Sequence, residues 1–129
     1  MSFSSYQELA SEDADQYGVP TDIFTSVIQA ESGFNPGAYN SSSGATGIAQ
    51  ILPSTAANPG FGLSPVDPTN PTDALQFAAQ YLRALYNKLG SWTGALNAYS
   101  GNTSGRSPYP QSQAVQNALA NNGANPATS

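Results

Sequence analysis

At 129 residues the chain can build one hydrophobic core but not two. It has no cysteine and no histidine, which excludes disulfides, thiolate nucleophiles, Ser-His-Asp triads and ordinary zinc sites, so any acid–base chemistry must come from carboxyls, tyrosines or substrate groups. Only 9% of residues are charged and the net charge is −5. This speaks against nucleic acid and anionic membrane as partners and fits a neutral polymer better.

In chain order the pattern is helical. The stretch "SYQELASEDADQYG" opens on a capping serine and closes on Gly18, with Tyr6, Leu9, Ala10 and Tyr17 roughly on one side. The next, "VPTDIFTSVIQAESG", has Pro20 and Thr21 at its start, Asp22 in its first turn and Gly33 as its stop. Residues 34–50 are rich in Asn, Ser and Gly and read as loop or a small irregular hairpin. "PSTAAN" suits a short helix, and "NPGFGLSPVDPTNP", with four prolines and two glycines, a rigid loop.

The longest element is "TDALQFAAQYLRALYNKLG", capped by Thr72 and stopped by Gly90; Leu75, Ala78, Ala79, Leu82, Leu85, Tyr86 and Leu89 follow the helical period of a core helix. "SWTGALNAYSG" predicts a shorter helix with Ser91 as its cap, and "SQAVQNALANN" predicts the last. The expected class is mainly α, with irregular loops and at most a minor β-hairpin. Residues 1–121 are expected to form the domain and 122–129 a flexible tail. No apolar run spans a bilayer, and the N-terminal stretch lacks the basic start and apolar core of a secretory signal. The expectation is a chain made in the cytoplasm, without membrane insertion, and associated with a virion or with secretion machinery if it acts outside the cell.

One acid breaks the pattern. Phe24, Val27, Ile28 and Glu31 stand at i, i+3, i+4 and i+7 and share a helix face. Burial, the negative end of the helix and the lack of a nearby Lys or Arg would all raise the pKa of Glu31, as a proton donor requires. On spacing alone the simpler reading is a helix-end glutamate that turns to solvent or caps a loop amide. The Gly/Ser-rich loop that follows favours the first reading, because it lets backbone and ligand approach closely.

Four ordered motifs, "ESGFNP", "GATGIAQILPSTA", "NPTDALQFAAQYLRAL" and "ALNAYSGN", resemble those of the soluble lytic transglycosylase domain, a goose-type-lysozyme-like fold that acts on peptidoglycan. The likeness runs over about residues 15–120. It implies a compact lysozyme-like helical domain with Glu31 as the catalytic acid/base and Ser32 as its motif partner. Gln50 would line the cleft, Gly47 would permit a tight turn, and Tyr99 would lie across from the acid. Each has an ordinary alternative: Ser32 bonding a helix-end carbonyl, Gln50 exposed, Tyr99 plain core. The sequence departs from the family's pattern at Ala49, where Met is common, and at Ser100, where Asn is usual. The loop around Asn40, Ser41, Ser42 and Ser43 is about one residue longer than the family's.

The resemblance also accounts for a missing carboxylate. Glycoside hydrolysis normally takes two, and the nearest candidates downstream, Asp67 and Asp73, have adequate structural roles in a turn and in a helix's first turn. A lytic transglycosylase needs only Glu31, no metal and no cofactor. It cleaves between N-acetylmuramic acid and N-acetylglucosamine and leaves an anhydro-muramoyl end. Of the aromatics Phe34, Tyr39, Phe61, Trp92, Tyr99 and Tyr109, the loop residues Tyr39 and Tyr109 are the better sugar platforms, and Ser100 would replace the Asn contact. The competing functions are a hydrolytic lysozyme, a glycan-binding module without turnover, and a virion structural module.

Overall fold

In the computed structural model, which describes residues 5–99 and 113–121, six helices follow one another: α1 (Tyr6–Tyr17), α2 (Thr21–Ser32), α3 (Pro53–Ala57), α4 (Pro71–Leu89), α5 (Trp92–Tyr99) and α6 (Gln113–Asn121). Helix α4 organises the packing, with α1 and α5 against it, while α2 packs on α1 and α6. Its inner stripe of Ala74, Leu75, Ala78, Ala79, Leu82 and Leu85 is buried. Ile23, Phe24, Val27 and Ile28 of α2 are fully buried in the same core. The mainly α class is therefore observed. The β content among the described residues is two isolated antiparallel bridges, Tyr39 with Thr46 and Thr46 with Ile51, which make residues 38–51 an irregular hairpin.

The helix ends follow the capping chemistry. The Ser5 hydroxyl accepts from the Glu8 N–H at 3.2 Å, and Gly18, Gly33 and Gly90 close their helices in left-handed conformations. Helix α4 starts two residues earlier than the expected Thr72 cap. Asn70 is the cap, its side chain accepting from the Asp73 N–H at 3.2 Å, and Pro71 takes the first helical position. Asn caps better than Thr, and Pro fits where no N–H partner exists. Ser91 caps α5 as expected, accepting from the Gly94 N–H at 3.0 Å.

Helix α1 differs from the pattern read in its sequence. Its buried stripe is Leu9, Ala10, Asp13 and Ala14, while Tyr6 is exposed and Tyr17 only partly buried. The Tyr17 hydroxyl instead accepts from Gln76 of α4 at 2.9 Å. The Arg83 guanidinium donates to the Gly18 carbonyl at 2.9 Å and lies 5.4 Å from the Tyr86 ring, which stacks on Trp92. This contact fixes the α1–α2 corner on α4. Among the described residues, no helix is long and apolar enough to cross a membrane. The proposed tail boundary and residues 122–129 lie outside the described residues.

Candidate active site

Glu31 stands in the last turn of α2, at the end of its buried face, and is 8% exposed. The chain then leaves the helix through two successive left-handed residues, Gly33 (φ 64°) and Phe34 (φ 61°). That sharp exit turns the following loop back across the end of α2. Ser32 secures the approach, its hydroxyl donating to the Ile48 carbonyl at 2.5 Å. Its contact with the helix carbonyl of Ile28 is longer, 3.5 Å. Ser32 therefore links the helix end to the loop.

The segment from Ala45 to Ile51 is a buried loop, with Ala45, Gly47, Ile48, Ala49, Gln50 and Ile51 all inside. Gly47 (φ 81°) is obligatory: a Cβ there would lie 1.9 Å from the Pro68 carbonyl oxygen. The proline-rich loop before α4 thus rests directly on this backbone. Gln50, also left-handed (φ 52°) and 5% exposed, donates its amide to the Gly47 carbonyl at 2.9 Å and to the Ala38 carbonyl at 3.2 Å. The amide protons of Gln50 hold the hairpin closed, and the residue is neither exposed nor loosely placed. Ala49 is fully buried, and its carbonyl accepts the Tyr99 hydroxyl at 3.1 Å.

Tyr99, at the end of α5, is fully buried. Burial first, then the negative Glu31 carboxyl, then Tyr81 push its phenol well above the usual 10, because each disfavours a phenolate. The Glu31 carboxyl therefore lies near enough to the buried phenol to act on it electrostatically. The Tyr99 ring meets the edge of Tyr81 at 6.2 Å; Tyr81 stacks on Phe77 at 5.5 Å and meets Phe61 edge-on at 5.7 Å. This aromatic ladder runs from buried Tyr99 out to exposed Phe61.

Of the residues singled out in the sequence, the structure brings Glu31, Ser32, Gln50 and Tyr99 to the junction of α2, α5 and the hairpin. Tyr39 is on the hairpin and 66% exposed, open to a ligand. Ser100 and Tyr109 lie outside the described residues. Asp67 is exposed and accepts from both the N–H and the hydroxyl of Thr69, which lowers its pKa. It lines a groove with Asp73, Gln76 and Phe77 whose walls do not include Glu31. The structure adds a feature that sequence reading missed. Among the described residues, Phe34, Gln50 and Phe61 are the non-glycine residues with left-handed φ. They follow the acid, hold the hairpin and end the aromatic ladder, respectively, and strain of this kind concentrates at functional sites. Only the glycines beside Phe34 and Phe61 hint at it in the sequence.

A family model described as the Transglycosylase SLT domain matches residues 8–120. The chain belongs to this family. Its fold is similar to the crystal structure of the 70 kDa soluble lytic transglycosylase of Escherichia coli, with a TM-score of 0.62 and 25% sequence identity over 92% of this chain. The match occupies 19% of that larger protein, so the chain spans about a fifth of its length. Within the SLT family frame, the buried acid at the end of α2, the glycine-dependent hairpin and the α5 tyrosine form one connected unit.

Proposed function

We propose that this domain cleaves peptidoglycan as a lytic transglycosylase, with Glu31 as its single acid/base. The observation that carries the reading is the placement of Glu31: a nearly buried carboxyl at a helix end, beside a buried phenol, in a chain of the SLT family. Protonated Glu31 donates its proton to the glycosidic oxygen between N-acetylmuramic acid and N-acetylglucosamine, and the C1–oxygen bond breaks. The substrate's own acetamido oxygen stabilises the cation that develops at C1. The Glu31 carboxylate then takes the proton from the muramoyl 6-hydroxyl as that oxygen closes on C1. The acid is regenerated, an anhydro end forms, and no water is consumed.

The remaining residues position this step. Ser32 ties the hairpin to the end of α2 through the Ile48 carbonyl, and Gln50 closes the hairpin on itself through the Ala38 and Gly47 carbonyls, so the wall beside the acid is held in place. Tyr99 donates to the Ala49 carbonyl and braces the hairpin against α5. Tyr39 offers an exposed ring on the same hairpin for a sugar face. Ser100 and Tyr109 complete the proposed substrate-binding set. Whatever carries the domain, a virion or secretion machinery, must bring it to the cell wall.

The decisive measurement is mass spectrometry of the muropeptides released from purified sacculi. Anhydro-muramoyl ends are expected. Reducing ends would make the protein a hydrolytic lysozyme, and binding without release would make it a glycan-binding or structural module.

A further inference from the structure

Phe61 is costly where it stands. It occupies a left-handed conformation (φ 56°) between Gly60 (φ 77°) and Gly62 (φ 74°), and it is 45% exposed. A bulky residue in this region of backbone space is an outlier, and half of an aromatic ring is left in water. The loop itself does not need the ring. It is closed by the Leu63 N–H on the Gly60 carbonyl at 2.9 Å, tied to α3 by the Val66 N–H on the Ala56 carbonyl at 3.0 Å, and seated on Gly47 through Pro68. At its tip, a Cβ on Gly60 or Gly62 would meet nothing within 4 Å. The turn thus holds one side of the Phe61 ring on Tyr81 and leaves the rest, 45% of the residue, exposed at the outer end of the ladder that leads through Tyr81 to Tyr99.

Lys88 stands beside it, its ammonium 5.9 Å from the Phe61 ring centroid, at the outer reach of a cation–π contact. The chain has three basic residues and a net charge of −5. Arg83 is engaged with Gly18 and Tyr86, and Arg106 lies outside the described residues. Lys88 thus places positive charge beside an exposed ring on an acidic protein whose substrate, on the reading above, carries carboxylates. We propose that Phe61 and Lys88 form an outlying substrate-binding site, the ring receiving the apolar face of a sugar and the ammonium swinging aside to pair with a carboxylate on that sugar's lactyl or peptide substituent. The inference rests on peptidoglycan being the substrate. It assigns Phe61 and Lys88 a role in holding the strand, not in the chemical step.

The test is binding in the Glu31→Gln protein, where turnover does not intervene, with two soluble probes: chitotetraose, which has no carboxylate, and a disaccharide-tetrapeptide muropeptide, which has several. Titrations followed by NMR and calorimetry give the affinities. Phe61→Asn keeps a residue tolerant of left-handed backbone, so its melting temperature should stay within about 2 °C of the parent. It should bind both probes about fivefold more weakly, and Phe61→Tyr should restore both. Lys88→Met retains the aliphatic stem. It should weaken only the muropeptide and flatten the salt dependence of its binding. The proposal is overturned if Phe61→Asn binds both probes like the parent, if Phe61→Tyr fails to restore binding, if Lys88→Met affects both probes equally, or if the parent binds neither. Failure of the proposed turnover has a separate signature: wild-type protein would leave sacculi intact, whatever the binding titrations give.

Discussion

Glu31 on α2 and Asp13 on α1 occupy matching positions. Glu31 follows Val27 and Ile28 at i+4 and i+3, and Asp13 follows Leu9 and Ala10 in the same way. Both are more than nine-tenths buried, at 8% and 7% exposure. Their surroundings differ. Glu31 ends its helix against a loop held by Ser32, Gln50 and Gly47, with Tyr99 in its field. Asp13 sits within a regular helix beside exposed Glu12 and Asp15. Burial of an acid on an apolar stripe is therefore not what distinguishes a candidate catalytic group. The strained polar loop and the buried phenol around it do so.

The largest effects should separate the two acids most sharply. Glu31→Gln is expected to lower release of muropeptides from sacculi by about 10²–10⁴-fold, the usual contribution of a general acid, with the circular dichroism spectrum unchanged. Asp13→Asn is expected to leave that rate within about twofold, because no part of the proposed step passes through it. Near-full turnover in the Glu31 variant, or a comparable loss in the Asp13 variant, would break the comparison.

Next in size is the wall that Glu31 faces. Gly47→Ala requires a Cβ 1.9 Å from the Pro68 carbonyl oxygen, on backbone at φ 81°. Neither the hairpin nor the loop before α4 can remain in place, and a loss of about 3 kcal/mol or more is expected in chemical denaturation. Gly60→Ala is the control, with a similar φ of 77° and nothing within 4 Å of the added carbon. It should cost only about 1 kcal/mol from backbone strain. Equal effects would mean that the packing on Pro68 is unimportant.

Asp13 makes the opposite prediction, a gain. Burial first and Glu12 second raise its pKa from 3.8 to about 6. Between those values the folded protein binds more protons than the unfolded chain, so stability falls as pH rises through this window. The penalty is absent below 3.8 and complete above about 6. Its ceiling is about 3 kcal/mol, and an unbonded buried amide in the variant offsets part of that. Asp13→Asn should therefore be more stable than wild type by about 1–2 kcal/mol at pH 7.5, and no more stable than wild type at pH 3.5, where only the cost of the amide remains. Urea denaturation at the two pH values measures this.

The same contrast shows what the sequence could convey. Periodicity located α2, α4 and α5, because helix faces and glycine stops are local signals; of the expected α4 stripe, Leu75, Ala78, Ala79, Leu82 and Leu85 are buried, but Tyr86 is only partly buried and Leu89 is 46% exposed near the helix end, while Phe77 and Tyr81 are buried through the aromatic ladder. The motif order led to the family. The stripe of α1 departs from its pattern: Tyr6 and Tyr17 are large and apolar enough to suggest core, whereas the helix buries Asp13, which only the packing of α1 against α2 and α4 decides. The cap of α4 was misplaced by two residues because Asn70 and Thr72 are both acceptable caps, and Pro71 between them decides the matter. Around Glu31, the residue types were legible but their partners were not. That Gln50 clamps Ala38 and Gly47, or that Ser32 reaches Ile48, depends on long-range backbone geometry.

Tyr99 is the residue for which the sequence left core packing and a site role both open. Its ring is fully buried against Tyr81, and its hydroxyl donates to the Ala49 carbonyl at 3.1 Å. Tyr99→Phe keeps the ring and removes one buried hydrogen bond, leaving that carbonyl without this donor, at a cost of about 1–2 kcal/mol. If the hydroxyl only supports the core, turnover measured well below the melting temperature should be unchanged, and the variant should differ from wild type in denaturation alone. If it also holds the Ala49 backbone in register with the acid, kcat should fall about tenfold with KM little altered, because a displaced wall misaligns the bond to be broken without removing strand contacts. We expect the second result. The hydrogen bond joins α5 to the hairpin segment that Ser32 ties to the end of α2, so removing it loosens the wall that faces Glu31 and leaves the surroundings of Asp13 untouched.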